Sequence, residues 1–401
     1  SVYSIAEDHI NPNLLFAGTE FGVFFTLDGG ENWAALKSGL PTIAVRDIAI
    51  QERENDLVLG TFGRGFYVLD NYSPLRELEY VLEQESAFFT TKPGLLFRRA
   101  SIGGTAYKGA QLYKAKNPEV GTTFEWYLAE GANRVKENRS EANEELPHYP
   151  SLDQLQKEDW EEQPYLIFEV SDSLGNPVAR FTKADSKGIS RYTWDGRMSS
   201  KASIRTNGEP ITEAYGTTFV LPGTYYMSLS RSTNGTLETL VASHEFKVNH
   251  LYNYEGIDME FNQSVDALMA RSNEVSARYS ELNDALNKLR AGLRNTPGAS
   301  LEDLSTTRTI EVELKELGVL LNGNSTRKKR EFETAGSLGD VTGLLAWGTF
   351  NHRGAPTGTM RTMKEDAEAM ITDAIAALEK IADELDQLET KAREQGVPFW
   401  D

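Results

Sequence analysis

The sequence predicts a multidomain chain: all-β propeller blades first, then a β-sandwich, then an all-α antiparallel helical bundle. Three observations carry this. Residues 1–72 contain an internal repeat with a period of about 42, and residues 86–249 alternate short apolar runs with Gly, Pro and Asn turns. From Phe261 onward apolar residues recur at three and four, the period of a helix rather than a strand. With 401 residues the chain exceeds one ordinary domain, and the expected boundaries are 1–76, 77–250 and 251–401.

In the repeat, the segment from Leu14 to Asp28 aligns with that from Asp56 to Asp70 at a shift of 42. Gly18-Thr19 pairs with Gly60-Thr61, Phe24 with Phe66, and Leu27-Asp28 with Leu69-Asp70. A further short strand precedes each copy, Val2 to Ala6 and Val45 to Ala49. Three or four short strands repeating at this length are the sequence behaviour of propeller blades, whose apolar runs are continuous because blades pack on both faces. Two blades cannot close a ring, so the remaining ones are expected upstream. The start of the chain, with no Met, basic segment or apolar stretch, fits that expectation.

Between the third and fourth strands of the first copy stand Thr26, Asp28, Gly30 and Trp33. This spacing resembles the Asp-box of BNR repeats, and the run Gly63 to Leu75 resembles the last blade of bacterial sortilin-like, "glycosyl hydrolase-like" propeller proteins. Physically the motif reads as a hairpin turn. A short carboxylate accepts local N–H bonds, Gly permits positive φ, and the aromatic ring plugs the gap beneath. Asp28 is therefore expected to be structural, not catalytic.

In the middle region, Leu166 to Asp172 and Val178 to Thr182 flank Gly175-Asn-Pro177, a hairpin pattern. Trp194-Asp-Gly196 and Pro222-Gly-Thr-Tyr225 follow. That order resembles the Ig-like sandwich of the flagellar hook-capping family, in which the Trp plugs the core and Pro-Gly begins an edge strand. An acidic insertion at 136–163, rich in Glu and Asp with Pro147 and Pro150, reads as a solvated loop. A Ca2+ loop is the sharper alternative, although EF-hand spacing is absent.

The helical region opens with a stripe of Val265, Leu268, Met269, Val275, Tyr279, Leu282, Leu286 and Leu289, ended by Asn295-Thr-Pro-Gly298. A second helix starts near Ser300 and carries Ile310, Leu314, Leu317 and Leu321. A last one runs from about Thr362 to Glu394. Three striped helices make an antiparallel bundle the economical arrangement. The segment from Leu344 to Thr357 resembles the connector before the final helix in the sortilin-like family.

Composition narrows the function. A net charge of −19 repels phosphate backbones and anionic lipid, which excludes nucleic acid as a main partner. No run is long enough to insert in a membrane. Zero cysteines exclude thiol chemistry, and the five histidines stand singly, without zinc spacing. No cofactor motif is present. Tyr3, Arg46, Asp47 and Arg64 lie on or beside the predicted inner strands of the blades and are the candidates for a binding or catalytic face. An interblade ion pair or a turn role is the plainer alternative for each.

The expected function is a binding or scaffold module for a protein or glycan ligand, in an exported protein (periplasmic, cell-surface or extracellular) that can be a subunit of a larger cell-surface assembly. The alternative is a sialidase-like or xyloglucanase-like glycoside hydrolase, with most of its active site in further blades.

Overall fold

The computed structural model describes residues 1–37, 39–97, 116–142, 150–199, 204, 218–251, 255–352 and 354–398. The chain divides into two units. One holds Ser1–Leu96, the strands running up to Gly196, and Pro222–Asn249; the other holds Arg197–Leu221 and the chain from His250 onward.

The first unit begins with an antiparallel sheet of β1 (Val2–Glu7), β2 (Leu15–Thr19), β3 (Gly22–Thr26) and β4 (Ala34–Leu36), joined in chain order. A second sheet follows, of β5 (Val45–Gln51), β6 (Asp56–Thr61) and β7 (Phe66–Leu69), again in chain order. The two share a core of Leu14, Phe16, Val23, Val45, Ile48, Leu57, Leu59 and Tyr72. Their ladders repeat one another. Val2 pairs with Thr19 and Ser4 with Gly18, leaving Tyr3 as the extra residue of a bulge. Val45 pairs with Thr61 and Asp47 with Gly60, leaving Arg46 in the same role.

The repeat is not a single shift, however. Gly18 pairs with Val23 and Gly60 with Phe66. Phe66 therefore takes the place of Val23, not of Phe24 as the alignment at 42 suggests. The second hairpin turn, Phe62-Gly-Arg-Gly65, is one residue longer than Glu20-Phe-Gly22 would make it, and a one-residue change in a strand reverses which face each side chain meets.

A 3-10 turn (Ser73–Glu77) and α1 (Leu78–Leu82) lead into the sandwich strands β8 (Ser86–Phe88), β9 (Gly94–Leu96) and β10 (Thr122–Leu128). Then come α2 (Val135–Ala142), α3 (Leu152–Trp160), β11 (Tyr165–Asp172), β12 (Pro177–Ala184), β13 (Gly188–Trp194), β14 (Gly223–Thr233) and β15 (Thr236–His250). One sheet has the order β13-β10-β8 and the other β12-β11-β14-β15-β9. They face each other across aromatic rings: Phe168 lies 4.9 Å from Trp126 and 6.3 Å from Phe88, and Phe246 lies 4.8 Å from Phe124. Trp194 is buried against Tyr225 and Phe246.

Two expectations are corrected here. Pro222-Gly223 begins β14, which lies between β11 and β15 rather than at an edge. Pro222 precedes the strand, so its missing N–H removes no ladder bond. The acidic stretch is not simply a loop, because it contains α2 and α3. Ser151 caps α3 through a capping box with Gln154, and Arg139 holds Glu158 with bonds of 2.7 and 2.9 Å. Local donors thus organise the acids. Glu144, Glu145, Pro147 and His148 lie outside the described residues.

The second unit is helical: α4 (Met259–Asn295), α5 (Leu301–Asn322), the short α6 (Ser325–Lys328), α7 (Leu338–Asn351) and α8 (Gly358–Glu394). At the far end of α4, Gln395 just after α8 accepts from Ser300 N at 2.7 Å and donates to Asp303 at 2.6 Å, so α5 runs against α8. Arg290 of α4 bonds Glu311 of α5 at 2.9 Å. At the other end Arg361 stands 3.6 Å from Asp258, so α4 and α8 run the same way. Three helices were expected. The middle member is broken: α5 and α7, with 22 and 14 residues, together nearly match the 37 of α4 and of α8. Gly323 ends α5 at φ 82°, and a capping box between Ser337 and Asp340 starts α7. Among the described residues no helix is long and apolar enough to cross a membrane.

One carboxylate in this unit is out of balance. Asp266 on α4 accepts bonds from the Thr218 N–H and hydroxyl, both at 2.5 Å. Burial outweighs these bonds and the nearby Arg197 charge, and pushes its carboxyl up from 3.8 to about 6. A folded value above the unfolded one means that Asp266 contributes stability fully below about pH 4 and that this is lost as the pH rises through about 6. Asp266→Asn keeps an oxygen for Thr218 and is expected to flatten that part of the stability–pH curve, measured by thermal unfolding between pH 4 and 7.

Candidate functional site

The Thr26–Trp33 turn closes on itself. Thr26 donates to Asp28 at 2.6 Å. Asn32 N donates to both Asp28 oxygens at 2.9 and 3.0 Å. Gly30 N donates to Thr26 at 3.0 Å, and Trp33 Nε1 to Gly30 O at 3.0 Å. Gly29 and Gly30 take φ of 73° and 108°. The Asn32 backbone, then Thr26 and the Asn32 side chain, hold the Asp28 carboxyl well below the usual range. One expectation is corrected. Trp33 plugs no gap: it is 41% exposed, because its indole folds over its own turn.

A second cluster has no local signal in the sequence. Asp8, just after β1, is buried to 3%. Its Oδ1 accepts from the Tyr72 hydroxyl at 2.5 Å and Arg76 Nη2 at 2.6 Å; its Oδ2 accepts from Arg76 Nε and Asn11 N, both at 2.8 Å. Arg76 also reaches Asn55 at 2.7 Å. Burial alone would raise the Asp8 carboxyl, but Arg76, Tyr72 and the Asn11 N–H together hold it far below its ordinary value. Asp8 lies 64 and 68 positions from Tyr72 and Arg76, so no local spacing announces the cluster. The same bonds favour the ionised form of Asp8 and of Asp28.

The four residues expected on the face are placed as follows. Tyr3 and Arg46 meet: the guanidinium lies 4.0 Å from the centre of the Tyr3 ring and 5.3 Å from that of Phe62. Both are bulge residues at equivalent positions, and a bulge re-aims its side chain out of the ladder alternation. Asp47 lies apart from this stack, opposite Gly60, and accepts from Ile48 N at 3.0 Å. Arg64 is exposed in the same β6–β7 turn as Phe62, between Gly63 and Gly65 at φ of 80° and 70°. Among the described residues neither Arg46 nor Arg64 pairs with a carboxylate, although the chain holds 60 acids to 41 bases.

Phe62, 68% exposed, joins the stack without being among the expected residues; its sequence signal is an aromatic beside a glycine turn. What results is a rim of aromatic faces and unpaired guanidinium donors, a surface that suits a ligand with flat apolar faces and an anionic group. Among the described residues no group of three or more acidic or histidine side chains is placed to hold a metal ion.

No family model matches the chain, and no curated protein matches it. The extracellular domain of a one-component system from B. thetaiotaomicron is similar at 12% identity and a TM-score of 0.14, over 63% of this chain and 25% of that one. The chain thus spans about a quarter of that structure's length.

Proposed function

We propose that the first two sheets are blades of a BNR-type β-propeller of the sortilin-like kind in an exported protein, and that they form a binding or scaffold module. An Ig-like sandwich and the helical bundle serve as spacer or docking parts. The ring is completed by further repeats, and its ligand is a protein or glycan bearing an anionic group. The bulge stack carries the reading. Two repeats put their extra residue at the same place, and the second sets Arg46 on Tyr3 with its N–H donors free of any described carboxylate. A rigid sheet frame that aims side chains from its ends is how loops and bulges acquire recognition roles.

Support also comes from the equivalent ladders and from the face-to-face core between the two sheets. The test is binding of the chain to arrays of acidic and neutral glycans and of acidic and neutral proteins. Arg46→Ala is expected to weaken an acidic ligand by roughly 10- to 100-fold, the loss of a charged hydrogen bond of about 1.5–3 kcal/mol. Arg46→Lys should recover only part of it, since a point charge replaces a stacked planar fork. Equal affinity in the wild type and Arg46→Ala would sink the assignment of the site.

A further inference from the structure

Helices α5 and α7 are joined by a loop whose two ends touch. Gly323 closes α5 at φ 82°, and a Cβ placed on it would lie 3.7 Å from Cβ of Ser337, the cap of α7. A Cβ on Gly339 would lie 3.4 Å from Leu321 O. Leu321 and Leu338, 3% and 1% exposed, both belong to the bundle core, which takes no described residue from between them. The core therefore passes the loop by, the arrangement of an Ω-loop on a surface.

What the loop displays is chemically unlike the rest of the chain. Arg327-Lys328-Lys329-Arg330 is the longest run of bases in a sequence of 60 acids and 41 bases. All four are exposed, as are Glu331 and Phe332 after them. Among the described residues, Lys328 alone of the four meets a carboxylate, that of Asp340 at 3.2 Å. Both partners are about half exposed, and such a pair holds little. The bonds that shape the tip close within it: Asn324 accepts from Arg327 N at 3.0 Å, Glu331 N donates to Lys328 O at 3.1 Å, and Phe332 N to Arg327 O at 3.2 Å. The single turn of α6 is too short to be stable by itself. Glu331 takes φ 60°, a left-handed conformation uncommon for a residue with a side chain. Both features favour local opening of the tip.

We propose that this run is a processing site, cut by an endoprotease specific for basic residues, and that the two pieces stay together as one bundle. Such a protease binds its substrate as an added strand and takes guanidinium or ammonium groups into carboxylate-bearing pockets. Once the tip opens, Arg327 to Arg330 supply successive bases to those pockets. Water is the co-reactant: the Arg330–Glu331 peptide bond breaks, a carboxylate forms on Arg330 and an amine on Glu331. Both new ends fall on the exposed tip, so no core contact is lost. The piece that begins at Glu331 keeps α7 and α8 on α4 and α5, through Leu338, Leu345, Ile371, Ala374 and Leu378 in the shared core. The proposal is independent of the ligand reading, because it concerns the helical unit alone.

Limited digestion of the full chain tests it, with trypsin and separately with a protease specific for paired bases, read by mass, native size exclusion and circular dichroism. A synthetic peptide of residues 322–338 gives the rate for the same sequence unfolded. The folded chain is expected to be cut between Arg327 and Glu331 within roughly 100-fold of the peptide's rate, as local opening allows. Cutting by way of global unfolding would be slower by about 10³-fold or more. The fragments are expected to co-elute with the helical signal unchanged. Lys328→Gln combined with Arg330→Gln leaves no two bases adjacent and is expected to abolish the cut by the paired-base protease, with the circular dichroism of the wild type. A slower cut in the folded wild type, fragments that separate under native conditions, or a cut by that protease that persists in the double variant would each overturn the proposal.

Discussion

Replacing Asp8 with alanine is expected to destabilise the first two sheets by about 3–5 kcal/mol, the usual result of removing one partner of a buried ion pair. The Arg76 guanidinium, 14% exposed, and the Tyr72 hydroxyl would be left facing the hole without their acceptor. Tyr72→Phe removes one donor to that carboxylate and leaves Arg76 paired, so it is expected to cost less, about 1.5–3 kcal/mol. Urea unfolding of each variant checks both, and equal losses would show that packing, not charge, holds the cluster.

The same cluster sets a pH window. The Asp8 carboxyl is depressed from 3.8 in the folded chain. Its contribution is therefore present above about pH 4 and lost as the pH falls below that. Burial, then the Asp8 charge, raises the Tyr72 hydroxyl above its ordinary 10.0. That contribution is complete below about pH 10 and lost on further rise. Asp8→Ala should flatten the acid limb, and the alkaline limb only in part, because burial is the larger cause of the Tyr72 shift.

Phe168→Ala is expected to cost about 3–5 kcal/mol, through lost transfer energy and the cavity left behind. Phe168 is 1% exposed and links the two sandwich sheets. It lies 4.9 Å from Trp126, stacks on Phe181 at 5.2 Å, and meets Phe88 edge-on at 6.3 Å. Neighbouring rings are too rigid to collapse into the space. Denaturant unfolding of the variant is the measurement, and a loss below about 1 kcal/mol would mean that Phe181 swings in to fill it.

Helices were read best from sequence. The stripes of α4, α5 and α8 recur at three and four, and Ser300 caps α5 by accepting from Asp303 N at 3.2 Å, a purely local bond. Helix α7 was missed because Leu338, Leu344, Leu345, Ala346 and Trp347 surround the helix instead of lining one side, so no period shows. The strands of the repeat were legible as alternations, but the alignment at 42 misplaced Phe66, since pairing across a hairpin depends on the turn's length. At the candidate site, Tyr3, Arg46 and Arg64 were found from their place beside repeated strands, whereas the stack of Arg46 on Tyr3 and Phe62 was not.

What the sequence determined by itself was everything decided within a few residues: caps, turns, periods and the presence of a repeated unit. The Thr26–Trp33 turn belongs here, because its side-chain bonds close within eight positions. Only the tertiary structure decided which repeated strands face each other, that Asp8 is joined to Arg76, and that the Trp33 ring lies over its own turn. The difference is physical. A carboxylate accepts from whatever donors folding brings near it, and a sheet face is covered or open according to which sheet stacks on it. Neither depends on spacing along the chain.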